Sequence, residues 1–425
     1  MGQSKKEILE KNFYSKVFVA RSVRFAIDKA SNRDTELSSP NKFIGKLATI
    51  LAREREVVAL SLKILPNNKC KIYIAKNDEW LPKDREYINK VKKVLINVSK
   101  EAPMTFAEAH ERDDVKKLAI TIFEYCKHKV IFRLNKLRKD IAKDEIYIRS
   151  FLDYAKSDGV DDVMHSEIHV ISRVCYNYYP TAKKDPTIPE KFLRHIKKVG
   201  SYIGSFIYII DCACKPEYKT QFSCIELKLL DPNTAVKTVS SWSDTVKHYF
   251  RNQTNNVFYE FKERCLNDPV IKEDLVRVYG KNGKETPGML DCEVTKKLRL
   301  HAEMNVLLKL MDHGKKDIGY IAVSKKCCYL CDLYINFLKS KGYNITISGS
   351  HKKLYHFWEL PDALKQEFIN YATSELDYII EQETNNHTNI IAISDSDPDS
   401  DDSDPDRKHG FAASYCDDLV IDYIN

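Results

Sequence analysis

The sequence predicts an α/β fold: a sheet covered by helices on both faces, interrupted by a large, mainly α-helical insertion. Three observations predict it. Short apolar β-rich runs at residues 57–64, 71–75, 318–323 and 344–348 alternate with segments of helical period. Between the second and third of these runs lie residues 84–290, whose patterns are mostly helical. Finally, His301, Glu303 and the pair Cys328 and Cys331 fall on a helix–strand–helix succession that brings distant side chains to one sheet edge.

Residues 1–40 read as an N-terminal extension. Its opening, Met1-Gly-Gln-Ser-Lys-Lys6, has no apolar core of a signal peptide, and Lys6 stands where a myristoylation signal needs Ser or Thr. Residues 41–83 form the first part of the α/β domain. Within them, 41–54 is helical, and the runs at 57–64 and 71–75 are strands joined by the hairpin signal Pro66-Asn-Asn68. Asn77 follows directly. An Asn-Asp turn closing the strand accounts for it without any function.

Residues 84–290 read as a helical insert domain, with clear patterns at 87–98 and 114–155. Its basic section, residues 127–139, is either a solvated amphipathic helix or a grip on phosphate backbone. Residues 291–383 complete the α/β domain. There a helix opens at His301, a strand covers 318–323, and a helix continues through 333–341 until Gly342 stops it. A strand at 344–348 and a helix near 361–383 follow. Residues 384–425 form an acidic, largely disordered tail.

Composition bounds the rest. At 425 residues the chain accommodates two to three domains of roughly 100–200 residues each. No apolar run approaches the ~20 residues of a membrane span, so no membrane contact is expected. Twelve irregularly spaced cysteines fit reduced thiols and an intracellular location, nucleus or cytoplasm. The formal charge of +7 includes seven Asp within 394–406, so the rest of the chain carries +14. A basic body favours a polyanionic partner, which an acidic tail can compete with.

The chemistry concentrates between residues 301 and 331. A catalytic zinc keeps three protein ligands and leaves the fourth tetrahedral position to water, whose pKa falls to about 7. His301, Cys328 and Cys331 supply three. Cysteines three apart at a helix start share one face, where the dipole favours thiolates. Glu303 is a poor fourth ligand, because two residues along a helix is a turn of roughly 200°. It sits beside the metal if His301 lies in the first turn, and there it suits a proton shuttle. Taken alone, the C-x-x-C also reads as a redox pair or half of a zinc ribbon, but a ribbon needs a second ligand pair, and none lies near.

His165-Ser-Glu167-Ile-His169 repeats the H-x-E pattern without a cysteine pair. Cys175 is single and Cys212-Ala-Cys214 has the wrong spacing for one helical face, so a surface with ordinary histidines is the better reading.

His301-Ala-Glu303, Ser324-Lys-Lys-Cys-Cys328-Tyr-Leu-Cys331 and Gly349-Ser-His351 with Trp358 resemble the OTT-type deaminases. That family is a branch of the cytidine-deaminase-like superfamily found in fungi and intracellular bacteria. The resemblance implies a three-layer α/β/α cytidine-deaminase-like domain, one zinc, and deamination of a nucleobase, in nucleic acid or as a nucleotide. It places Ser324 and His351 at the pocket border and Asn77 on the nucleoside. One departure stands out: many deaminases have Pro directly before the C-x-x-C, and this chain has Cys327. The expected activity is zinc-dependent hydrolysis of an amidine C–N bond with Glu303 as catalytic residue. The rival expectation is an inactive deaminase-like zinc scaffold that works as an interaction protein. Ile390, Ile391 and Ile393, followed by acidic and phosphorylatable residues, resemble a SUMO-interacting motif that adds as a strand to a sheet edge.

Overall fold

A computed structural model describes residues 4–23, 37–66, 69–143, 145–251, 255–312, 314 and 316–385. The SUMO-like motif, the acidic tail from residue 386 onward and Asn67 and Asn68 of the expected hairpin turn lie outside them, while residues 384–385 of the expected tail end a helix. In chain order the elements are α1 (Lys5–Ser22), α2 (Ser39–Leu51), β1 (Val58–Ile64), β2 (Cys70–Lys76), α3 (Pro82–Glu101), α4 (Phe106–His110), α5 (Asp113–Ile141), α6 (Ile146–Ser157), α7 (Ile168–Ala182) and α8 (Glu190–Cys214). Then come α9 (Lys219–Phe222), β3 (Glu226–Leu230), β4 (Thr234–Val239), α10 (Trp242–Lys247), α11 (Asn255–Asn267), α12 (Pro269–Tyr279) and β5 (Val294–Arg299). The chain continues with α13 (Ala302–Met311), β6 (Asp317–Val323), α14 (Tyr329–Ser340), β7 (Asn344–Ile347) and α15 (Lys365–Asn385).

The fold is α/β, around a five-stranded sheet of order β3-β2-β1-β6-β7. Alternating strands and helices predict parallel pairing, but the sheet is mixed. β2–β3 and β6–β7 are parallel, whereas β1 runs antiparallel to both β2 and β6. The reason lies in the connections. β1 and β2 lie too close in sequence for a crossover and so pair antiparallel, while a parallel neighbour needs a helical crossover, as α14 provides between β6 and β7.

Strand alternation gives the sheet two faces. Ala59, Tyr73, Ala75, Ile321, Val323, Ile345 and Ile347 join one apolar cluster with α13 (Val306, Leu307) and α14 (Leu330, Tyr334). Leu60, Ile72 and Ile74 stand outside that cluster, as do the buried Phe43, Ile44 and Leu47 of α2, which packs on β1 and β6. Each fully buried aliphatic or aromatic side chain there contributes about 1.5–3 kcal/mol.

Segment 84–290 is mostly helical, with its own cluster of Leu134, Leu137, Phe151, Ile171, Val174 and Val199 from α5 to α8. Gly200 lets α8 approach α7: a Cβ there would lie 2.6 Å from the Tyr176 amide nitrogen. The same segment returns β3 to the sheet and supplies β4, which pairs antiparallel with β5, Thr234 opposite Arg299. Residues 1–40 hold α1, which is capped by a Ser4–Glu7 box and packs on α15, α10 and β4. Lys76 is buried where β2 ends, with Nζ 2.6 Å from Asp84 and 2.9 Å from Glu56, and the Tyr125 hydroxyl donates to Asp84 at 3.1 Å. This network ties α3 and α5 to the sheet. Among the described residues no helix is long and apolar enough to cross a membrane.

Candidate metal centre

Two helix starts build the centre. His301 precedes α13 with extended backbone (φ −64°, ψ 150°), and its side chain makes no capping bond. Its Nδ1 instead lies 3.5 Å from Cys328 Sγ and 3.4 Å from Cys331 Sγ. Cys328 is the N-cap of α14, its Sγ accepting the Cys331 amide at 3.4 Å, a role Ser, Thr, Asp or Asn usually fills. The far end of α14 closes in a Schellman motif on Gly342 (φ 85°), with the Tyr343 amide donating to the Leu338 carbonyl at 3.1 Å. The starts of α13 and α14 thus deliver three ligand atoms to one point. These three, all within 4.8 Å of one another, are the one such group among the described residues.

Charges in the centre are coupled. Burial pushes the Cys328 thiol up, but its contacts with Cys331 and the His301 ring outweigh this and hold it well below the usual range. Cys331 moves the opposite way, raised by burial and by the Cys328 sulfur. Burial also depresses His301, yet the adjoining Cys328 sulfur raises its ring to about 9. These shifts favour an imidazolium beside one thiolate, and a soft or borderline divalent ion would displace protons from His301 and Cys331 to give neutral imidazole and two thiolates.

Glu303 is the second residue of α13 and 2% exposed. Its Oε1 lies 3.9 Å from His301 Nδ1. Burial raises its carboxyl above the usual range, and His301 pulls it part of the way back. Oε2 has no hydrogen-bond partner among the described residues. A buried carboxylate oxygen without a partner is costly and marks a place where a ligand or a proton belongs.

Cys327 stands outside the ligand group. Its amide donates to the Gly349 carbonyl at 3.0 Å, and its carbonyl accepts the His351 amide at 3.0 Å. Proline has no amide hydrogen to give, so the departure from the usual Pro matches the way this chain stitches 327 to 349–351.

Asn77 Oδ1 accepts the Val57 amide at 2.9 Å, and Ser324 Oγ accepts the Val58 amide at 3.0 Å. Both grip the start of β1 at the sheet edge where β2 and β6 end. His351 Nδ1 accepts the Lys353 amide at 3.0 Å. Its ring meets Tyr355 edge-on at 5.6 Å, and Tyr355 in turn meets the His301 ring at 6.0 Å. Sequence reasoning gave no role to Tyr355, nor to Trp358, whose Nε1–H donates to Cys331 Sγ at 3.2 Å. Trp358 entered only as a mark of the resemblance, and no local spacing signals the contact that either residue makes. The second H-x-E triplet stays apart: His165 pairs with Asp162 at 2.7 Å and His169 with Glu167 at 3.1 Å.

Sheet topology and ligand set together define an α/β protein with a three-donor centre able to hold a metal ion. Within that class, residues 300–362 match the family model described as "OTT_1508_deam:-like deaminase", so this stretch carries the OTT-type deaminase signature. Neither the curated proteins nor the solved structures contain a match to the chain.

Proposed function

We propose that the protein is a zinc-dependent hydrolytic deaminase of a nucleobase in nucleic acid. The observation that carries this reading is the convergence of a buried carboxylate, Glu303, with one imidazole and two thiols at two helix starts. His301, Cys328 and Cys331 hold the metal, and one nitrogen with two sulfurs is a donor set that suits zinc. Bound there, zinc supplies Lewis acidity and lowers the pKa of water to about 7. Glu303, kept protonatable by burial, takes a proton at its carboxylate and delivers it to the departing amine. We assign His351, one ring removed from His301 through Tyr355, to the substrate side, with Ser324 and Asn77 framing the same edge. The basic body favours a polyanionic substrate. The eleven described cysteines are all free, which supports an intracellular setting, nucleus or cytoplasm. A SUMO contact through Ile390, Ile391 and Ile393 belongs to the same proposal.

One observation favours a second reading, a metal-bearing scaffold that serves as an interaction protein. Cys331 is 0% and Glu303 2% exposed, so the sulfur and the carboxyl group are both shut away from solvent. The experiment that separates the readings is metal analysis followed by a deamination screen on single-stranded DNA, RNA and nucleosides. Zinc at about one per chain with a product that Glu303→Ala abolishes, its metal retained, supports the enzyme. Zinc with no product from any substrate supports the scaffold.

A further inference from the structure

We infer that Trp358 is a positioning residue of the metal centre: its indole fixes the Cys331 sulfur and draws charge from it, while the residues flanking it hold the strand that leads into His301. The inference rests on the metal reading above and deepens it. Trp358 is 0% exposed, and its Nε1–H donates to Cys331 Sγ at 3.2 Å. On the backbone side, the residues flanking it bracket Arg299. The Arg299 amide donates to the Phe357 carbonyl at 2.8 Å, and the Glu359 amide donates to the Arg299 carbonyl at 2.8 Å, a parallel bridge between Arg299 and Trp358. Arg299 is the last residue of β5, two before His301. Residues 357–359 thus link the Cys331 sulfur, through the Trp358 indole, to the strand end two residues before His301.

The ring is held by neighbours unrelated to the metal. Phe13 of α1 and Phe368 of α15 pack against it at ring-centroid distances of 6.4 and 6.1 Å. A buried indole N–H needs an acceptor, and a charged sulfur is a much stronger acceptor than a neutral one. The apolar contacts account for the ring, and the sulfur accounts for the N–H. Hydrogen bonds to a ligand sulfur lower the energy of its lone pairs and set the ligand's orientation, and losing such outer partners weakens metal binding roughly 10- to 100-fold.

The test uses cobalt(II) as the probe in the full chain. Two variants are compared: Trp358→Phe, and Trp358 replaced by β-(3-benzothienyl)alanine, which keeps the bicyclic shape but lacks the N–H. The expected result is a shift of the sulfur-to-cobalt charge-transfer band to lower energy in both, with cobalt affinity reduced roughly 10- to 100-fold and the far-ultraviolet circular dichroism unchanged. If Trp358→Phe does not fold, the isosteric variant decides alone. A benzothienyl variant with the band and affinity of the unaltered protein overturns the inference and leaves the metal centre standing. An unaltered protein that takes up neither cobalt nor zinc overturns the metal centre, and this inference with it.

Discussion

His301-Ala-Glu303 and His165-Ser-Glu167 have the same pattern and opposite fates. His301 stands at a helix start with its side chain 23% exposed, beside the buried Glu303 and facing two sulfurs from another helix. His165 is 85% exposed and pairs with Asp162 three residues away, while Glu167, 45% exposed, pairs with His169. In the second triplet the chain neighbours satisfy one another and water does the rest. In the first, burial removes water, so the groups must find partners across the fold. Chemistry here comes from enforced proximity in a dry place; residue spacing alone does not create it.

The strongest way to break this contrast is to remove a sulfur. Cys331→Ser is expected to abolish stoichiometric metal content and all deamination, as elemental analysis and product assay would show, since two remaining ligands do not hold zinc. Next comes Glu303→Gln, which keeps the shape and removes the titrating group. Metal content should stay near wild type while the rate falls ~10²–10⁴-fold; a variant that turns over normally would remove Glu303 from the chemistry. Smaller and of a different kind is Gly200→Ala, in the helical segment that carries the second triplet. Its new methyl meets the Tyr176 backbone at 2.6 Å, so urea denaturation should show a loss of about 1–3 kcal/mol with metal content untouched. Last, the double change His165→Ala and Glu167→Ala should alter neither metal content nor melting temperature beyond measurement error. A loss of metal there would mean that the two triplets are not the opposites described above.

Much of the α/β frame was legible in the sequence because it rests on local pattern. The runs behind β1, β2, β6 and β7, the stop at Gly342 and the ligand triad each carry a signal within a few residues. What escaped depends on distant partners. Antiparallel pairing of β1 with β6 is set by the order of strands across the sheet, which no run of residues records. Lys76 reads as an ordinary polar end to a strand, and only Glu56 and Asp84 make it buried. α1 mixes lysines with Phe13, Val17 and Phe18, so its pattern looks like a loose extension, although Lys16 reaches Asp377 of α15. Tyr355 escaped for the same reason, and Trp358, visible only as a mark of the resemblance, gave no hint of its contact: their partners, His301 and Cys331, come from elements that their own loop does not predict.

Cys328 accepts the amide of Cys331 as any capping hydroxyl would, so the turn that presents both sulfurs is shaped by the helix itself. A change at residue 328 is therefore felt twice, once in the donor set and once at the first turn of α14, whereas a change at residue 331 removes a sulfur and leaves the cap in place.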